Sequence, residues 1–177
     1  MPSVPVFETP RLLLRGYKLE DFGPFATMWS DPAVYRFIGG VAVPHEDLWR
    51  RFLQRPGHWD FLGFGFFAIE DRATGAYFGE AGFHDAQRDL EPSLTGTLEI
   101  GYALTPAAQG QGIAEEAMRA ALAWADHYGI GERYTCMIEP AHAASIRVAT
   151  KLGFKRFADT EYRGKPVVLL EKTRPQA

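Results

Sequence analysis

The strongest periodicity in the chain follows Pro106. Ala114, Ala117, Met118, Ala121, Ala125 and Tyr128 share one face at helical spacing, with Glu116, Arg119 and Asp126 off it, which predicts an amphipathic helix. Upstream the pattern is that of strands. Phe64 to Glu70 and Ala76 to His84 are aromatic and aliphatic runs, and the loop Asp71 to Gly75 between them suits a hairpin. A polar loop from Asp85 to Leu94 leads to a third strand, TLEIGYALT, at residues 97–105. Nearer the N-terminus, RLLLRGY at residues 11–17 reads as a strand. Leu19, Phe22, Phe25, Ala26 and Trp29 then recur at helical spacing around Pro24, which starts or bends that helix. Residues 31–38 read as a short helical turn, and PHEDLWRRFLQR from Pro44 as a second substantial helix. At the other end, Arg133 to Glu139 predicts a strand and Ala143 to Leu152 a helix stopped by a left-handed cap at Gly153. Residues 154–171 predict two strands around Arg163-Gly164-Lys165. The order is β, α, α, mostly antiparallel β, then a β-α-β-α unit and a closing hairpin.

Composition narrows the class. With 177 residues, 46% hydrophobic and 23% charged, the chain reads as one globular domain that buries ~70% of its unfolded surface without a staple. A single cysteine, Cys136, cannot form an internal bridge and fits a reducing compartment. Nineteen Lys+Arg against 22 Asp+Glu, with no basic concentration, make nucleic acid a poor partner. No leader pattern and no run near ~20 apolar residues is present, so no membrane is expected and the protein reads as cytoplasmic. Aromatics gathered between Trp49 and Phe67 exceed what a helix bundle needs and point to a pocket.

The informative local feature is AAQGQGIAEEA, residues 107–117, between a strand and the strong helix. A helix start leaves about four backbone N–H groups without partners and carries roughly half a positive charge, which suits an anion. Gly110 and Gly112 remove the side chains that would hold a phosphate away. A tight turn alone explains the same glycines. No G-x-x-x-x-G-K-[ST] string exists, which excludes a P-loop. The dinucleotide pattern G-x-G-x-x-G/A, and with it an NAD-dependent oxidoreductase, fails at its third small position, held here by Glu115.

The string Gln109-Gly110-Gln111-Gly112-Ile113-Ala114 resembles the [Q/R]-x-x-G-x-[G/A] acyl-coenzyme A signature of the GNAT superfamily of N-acetyltransferases. Glu99-Ile100-Gly101-Tyr102 before it, Glu116-Ala117 after it, and Ala143-Ala144-Ser145-Ile146 leading to Lys151-Leu152-Gly153-Phe154 resemble the branch containing the ribosomal-protein acetyltransferases RimJ and RimL. So do the opening Glu8-Thr9-Pro10-Arg11-Leu12-Leu13-Leu14-Arg15 and Trp29-Ser30-Asp31-Pro32. The joint order spans nearly the whole chain. The resemblance implies an α/β acyl-CoA N-acyltransferase fold: a mixed, mostly antiparallel sheet splayed at the cofactor site and flanked by about four helices. It implies acetyl-CoA as cosubstrate, no metal, and a pyrophosphate resting on the amides of about Gln109 to Ala114. The pantetheine arm would pair at Ala103, Leu104 and Thr105, with His142, where many relatives have Asn, and Ser145 as further contacts. Homodimers are common in this branch.

Acetyl transfer needs a neutral amine. At pH 7 a lysine of pKa ~10.4 is neutral about once in 2,500, a deficit of roughly 4.6 kcal/mol, against about 1.1 for an α-amine. Glu99, among Leu98, Ile100 and Tyr102, is the candidate base on the expectation that burial raises its pKa; a solvent-facing strand residue is the alternative. Glu161 is the second candidate by resemblance, and His84 a proton relay. The tyrosine acid that many relatives carry is replaced by Ala149, leaving Ser145 to donate to the leaving sulfur or merely to satisfy its helix turn. Glu115 is expected to weaken pyrophosphate binding unless it points to solvent. Residues 36–59 and 85–93 are the expected acceptor walls; Trp49, His58 and Trp59 either line the pocket or pack as core and rim, and Asp85, Asp89 and Glu91 either attract a cation or belong to a solvated loop. The expected activity is direct acetyl transfer to a primary amine, either a protein N-terminus or a small molecule, in a ternary complex. A non-catalytic acyl-CoA sensor is the alternative that the missing tyrosine motivates.

Overall fold

The computed structural model describes residues 4–175. Its strands are β1 (Phe7–Glu8), β2 (Leu12–Arg15), β3 (Phe66–Asp71), β4 (Tyr77–His84), β5 (Leu98–Leu104), β6 (Arg133–Ile138), β7 (Lys155–Tyr162) and β8 (Lys165–Thr173). They form one mixed sheet in the order β1-β2-β3-β4-β5-β6-β8-β7. The helices are α1 (Phe22–Trp29), α2 (Pro32–Tyr35), α3 (His45–Leu62), α4 (Ile113–His127) and α5 (Ala143–Lys151), five rather than the expected four or so, counting the single turn α2.

Alternation along β5 divides the core. Leu98, Ile100 and Leu104 pack beneath α4 with Ala117, Met118 and Ala121, whereas Ala103 joins Phe25, Met28 and Trp29 of α1 on the other face. The predicted stripe of α4 holds except at Tyr128, which follows the helix end and stays 66% exposed. Gly153 takes the predicted left-handed conformation, with the amide of Phe154 returning to Ala149 O at 3.0 Å.

Three elements differ from the pattern. β1 pairs through Phe7 with Leu14 and is too short to show a periodicity. Helix α1 begins at Phe22, so Pro24 sits in its first turn, where a missing N–H costs nothing. Helix α3 continues through Pro56 to Leu62. On either side of that proline it is pinned to the sheet, by the Arg55 fork on Glu80 and by Trp59 Nε1 donating to Phe66 O at 3.0 Å.

The sheet has one parallel seam, between β5 and β6, and it is barely closed. Only Leu98 with Tyr134 and Glu99 with Thr135 are in register, although β5 runs on to Leu104 and β6 to Ile138. On its other side β5 is paired to β4 throughout, from Glu99 to Leu104. The approach there is close enough that a Cβ on Gly79, at φ +143°, would collide with Ala103 O. One edge of β5 is therefore held tightly while the other opens.

Candidate active site

The amide of Thr105 donates to Phe78 O on the β4 side. Antiparallel alternation then turns the backbone groups of Ala103 toward β4 and those of Ile100, Tyr102 and Leu104 toward the open seam. Of the three residues expected to pair with an extended ligand, Leu104 alone offers its backbone to the gap. Ala103 and Thr105 are committed to β4.

Beyond β5 the chain makes a 3-10 turn (Pro106–Ala108) and the Gly-rich turn, then enters α4. Gly110 and Gly112 have φ of +74° and +78°, a conformation that costs a side-chain-bearing residue about 1–2 kcal/mol. Three side chains brace the turn: Gln109 Nε2 donates to Leu104 O at 3.0 Å, Gln111 Nε2 to Ala107 O at 2.5 Å, and Arg11 Nη1 to Gln111 O at 2.9 Å. Arg11 is itself anchored by Glu116 at 2.6 Å. Among the described residues, the backbone amides of residues 110–115 donate to no protein acceptor, while that of Gln109 is used by Pro106 O at 3.3 Å. The open donors are thus shifted one residue from the expected set. A Cβ built on Gly110 would meet no atom within 4 Å, so the space beside Gly110 is open.

Glu115, beside this cradle, is not an isolated negative charge. It pairs with Arg119 at 2.9 Å and Lys151 at 3.1 Å, and these hydrogen bonds hold its pKa below the usual value. The expected weakening is offset by those two cations, which also tie α4 to the end of α5.

At the far end of the seam, α5 brings His142 and Ser145. His142 stacks on Phe37 with ring centroids 4.4 Å apart, and burial followed by the nearby Arg36 charge lowers its pKa, so the ring is neutral at pH 7. Ser145 Oγ accepts a hydrogen bond of 3.0 Å from the hydroxyl of Tyr102, whose pKa burial raises to about 12. The sequence reading missed Tyr102. Its place in an alternating strand marked it as core, and nothing local indicates a partner 43 residues away. It supplies the aromatic hydroxyl that position 149 lacks; Ala149 is buried core. Cys136 is 4% exposed, and burial and then the charge of Glu99 push its thiol up to about 12, which removes it as a nucleophile.

Glu99 lies on the opposite face, cross-strand from His84. It is buried as expected, but its pKa is not raised. Burial acts upward, yet hydrogen bonds from His84 and Arg88 and their charges outweigh it and bring the carboxyl down to about 2. Arg88 grips it at two points, Nε and Nη2 each 2.7 Å from an oxygen, and His84 Nε2 is 3.3 Å away. Arg88 comes from the 85–97 loop, whose Leu90 and Leu94 pack on Val167 and Leu169 of β8. The loop therefore presents a cation inward, where the sequence suggested outward acids; Asp85 is occupied by Gln87.

Glu161 is not brought to Glu99. Register pairs Thr160 with Val167 and Tyr162 with Lys165, so Tyr162 turns toward the 85–97 loop, its ring 5.0 Å beneath Arg88. Glu161 points to the other face, exposed and without hydrogen bond or ion pair among the described residues. Of the two readings of the aromatics, core and rim packing is the one seen. Trp59 is in the core, His58 bonds back to Gln54 O at 2.9 Å on α3, and Trp49 stacks on Phe52. Phe37, from the segment before α3, does reach the site through His142.

A family model described as an acetyltransferase (GNAT) domain matches residues 11–155. The Bacillus subtilis (strain 168) protein YkkB is 29% identical over 170 residues, 93% of each chain. A GnaT-family acetyltransferase structure from Bordetella pertussis superposes with TM-score 0.84 at 31% identity, covering 96% of this chain and 99% of its own. YncA from Salmonella typhimurium, solved with its cofactor acetyl-CoA, superposes with TM-score 0.71 at 20% identity over 94% and 95% of the two chains, a likeness of fold.

Proposed function

This chain belongs to the GNAT acetyltransferase family, and on that premise we propose that it moves the acetyl group of acetyl-CoA directly to a primary α-amine in a ternary complex. The observation that carries the reading is the cradle of unpartnered amides at residues 110–115, opening onto a seam where β5 leaves β6 after Glu99. A diphosphate satisfies several of those donors at once, and the exposed edge of β5 at Tyr102 and Leu104 is a template for the amide-bearing arm. The Leu104 N–H is the donor available to the thioester oxygen; one such donor is typically worth ~3 to 4 kcal/mol.

The amine enters from the face of Glu99 and His84, where the imidazole can receive its proton. Its nitrogen forms a bond to the acetyl carbon as the carbon–sulfur bond breaks, and it sheds a proton. A carboxyl of pKa about 2 is a poor acceptor for that proton, so Glu99 acts by orienting His84, and His84 takes the proton. On the sulfur side, Ser145 donates a hydrogen bond to the departing thiolate while accepting one from Tyr102. Full transfer from a phenol near 12 to a thiolate near ~8.5 is uphill by roughly 5 kcal/mol, so Tyr102 keeps its proton. Glu161 has no step in this scheme. The narrower likeness to RimJ and RimL adds that the acceptor is an α-amine, which needs the least help to be neutral.

The test is mass spectrometry of acetylated products after the protein and labelled acetyl-CoA are incubated with a cell extract, alongside amine-dependent release of free thiol. Acetylated amines with thiol release are expected. Tight acetyl-CoA binding without any amine-dependent thiol would overturn transfer in favour of a sensor.

A further inference from the structure

Packed against α1 is an unneutralised cation that the chemistry above does not use. On the face from which the amine enters, Glu80 of β4 is 1% exposed and fully engaged: Arg55 grips it at 2.8 and 2.6 Å, and the Tyr17 hydroxyl donates to it at 2.5 Å. One helical turn before Arg55, Arg51 is half-buried and forms no hydrogen bond or ion pair among the described residues. Its guanidinium lies 4.5 Å over the ring of Trp29. Burial, then the charge of Arg55, lower its pKa, with Glu80 opposing. Trp29 is 4% exposed, and its indole Nε1 is buried with no partner. Trp29 shares its cluster with Ala103, the last residue of β5 on that face. Two sets of unused donors, one charged, thus lie together, the guanidinium over the ring that carries the indole N–H, in the cluster that includes Ala103 of the strand bordering the gap.

A desolvated arginine without a counter-ion and a buried indole N–H without an acceptor are each unfavourable as they stand. A single ligand group relieves both: a planar anion with two oxygens, one for the guanidinium fork and one for the indole. We propose that Arg51 and Trp29 form the subsite for a carboxylate borne by the amine acceptor, so that the substrate class is amino carboxylates. This rests on the transferase reading and deepens it. The amine is placed toward His84 because the acid is held toward Trp29, and an acceptor without the acid loses its orientation. Free amino acids and peptide N-termini followed by an acidic side chain share this chemistry.

Two readouts separate this subsite from the transferase reading. In NMR, the indole N–H signal of Trp29, assigned by its loss in Trp29→Phe, is followed while N-acetylated amino acids and their methyl esters are titrated. The acids are expected to move it and the esters not. In turnover, free amino acids, short peptides with an acidic second residue, and the corresponding esters and amides are compared. Wild type is expected to prefer carboxylates at least tenfold, with the better arm identifying the source. Arg51→Gln should raise KM for the carboxylates ten- to a hundredfold, leave the esters unchanged, and keep or raise Tm, with Arg51→Lys partly restoring KM. Indole shifts without turnover of any amine would retain the subsite and remove the transferase. Equal handling of acids and esters, or an Arg51→Gln variant that impairs both alike, would overturn the subsite and leave transfer standing.

Discussion

Arg88 holds Glu99 in a two-point fork, and with the hydrogen bond from His84 it makes the carboxyl that the sequence offered as a base a strong acid. The consequence for stability has a definite sign. Glu99 titrates at about 2 in the folded protein against 4.5 in the unfolded chain, so its contribution is complete above pH 4.5 and lost as pH falls toward 2. It amounts to about 3 kcal/mol. Urea unfolding between pH 7 and 2.5 should show this loss in wild type, and Glu99→Gln should flatten that part of the curve.

Activity should fall at acid pH for a different reason. If His84 carries the proton, the acid limb of kcat/KM is absent from His84→Gln, whose residual rate is 10²- to 10⁴-fold lower. An acid limb that survives in His84→Gln would return the role of base to another group.

Gly110→Ala separates cradle from packing. The new methyl meets no protein atom but adds bulk to the turn that carries the open amides, at a φ of +74°. Stability should fall by about 1–2 kcal/mol. Acetyl-CoA affinity, measured by calorimetry, should fall by more than about tenfold, over 1.4 kcal/mol.

Tyr102→Phe and Ser145→Ala should each lower kcat, by about 10² for loss of a preorganised donor, with the Kd of acetyl-CoA little changed. Because the Tyr102 hydroxyl titrates at about 12, neither variant should shift the pH profile between 6 and 9. A shift there would show that Tyr102 exchanges a proton during turnover.

Glu80→Gln leaves Arg55 buried without its partner and should cost about 3–5 kcal/mol in chemical denaturation. Arg55→Met with Glu80→Gln should cost less than the two single changes together, since the pair is one unit.

Local chemistry made part of this protein legible in advance. The glycines at 110 and 112, the alanine-rich stripe of α4 and the alternating run of β5 each follow from periods or backbone conformations within a few residues, and the strand-turn-helix cradle follows from them. Other outcomes depend on which distant segments meet. The seam stays paired only at Leu98 and Glu99, while β4 and β8 hold the outer edges of β5 and β6 along their length, a register set between segments distant in the chain. Glu161 and Tyr162 were equivalent in the sequence until the register with β8 assigned them opposite faces. The low pKa of Glu99 was set by a histidine across the strand and an arginine delivered from a loop, and Ser145 received its partner hydroxyl from a strand. Ionisation and hydrogen bonding respond to the few ångströms around a group, and in a folded chain those ångströms are filled from anywhere in the sequence.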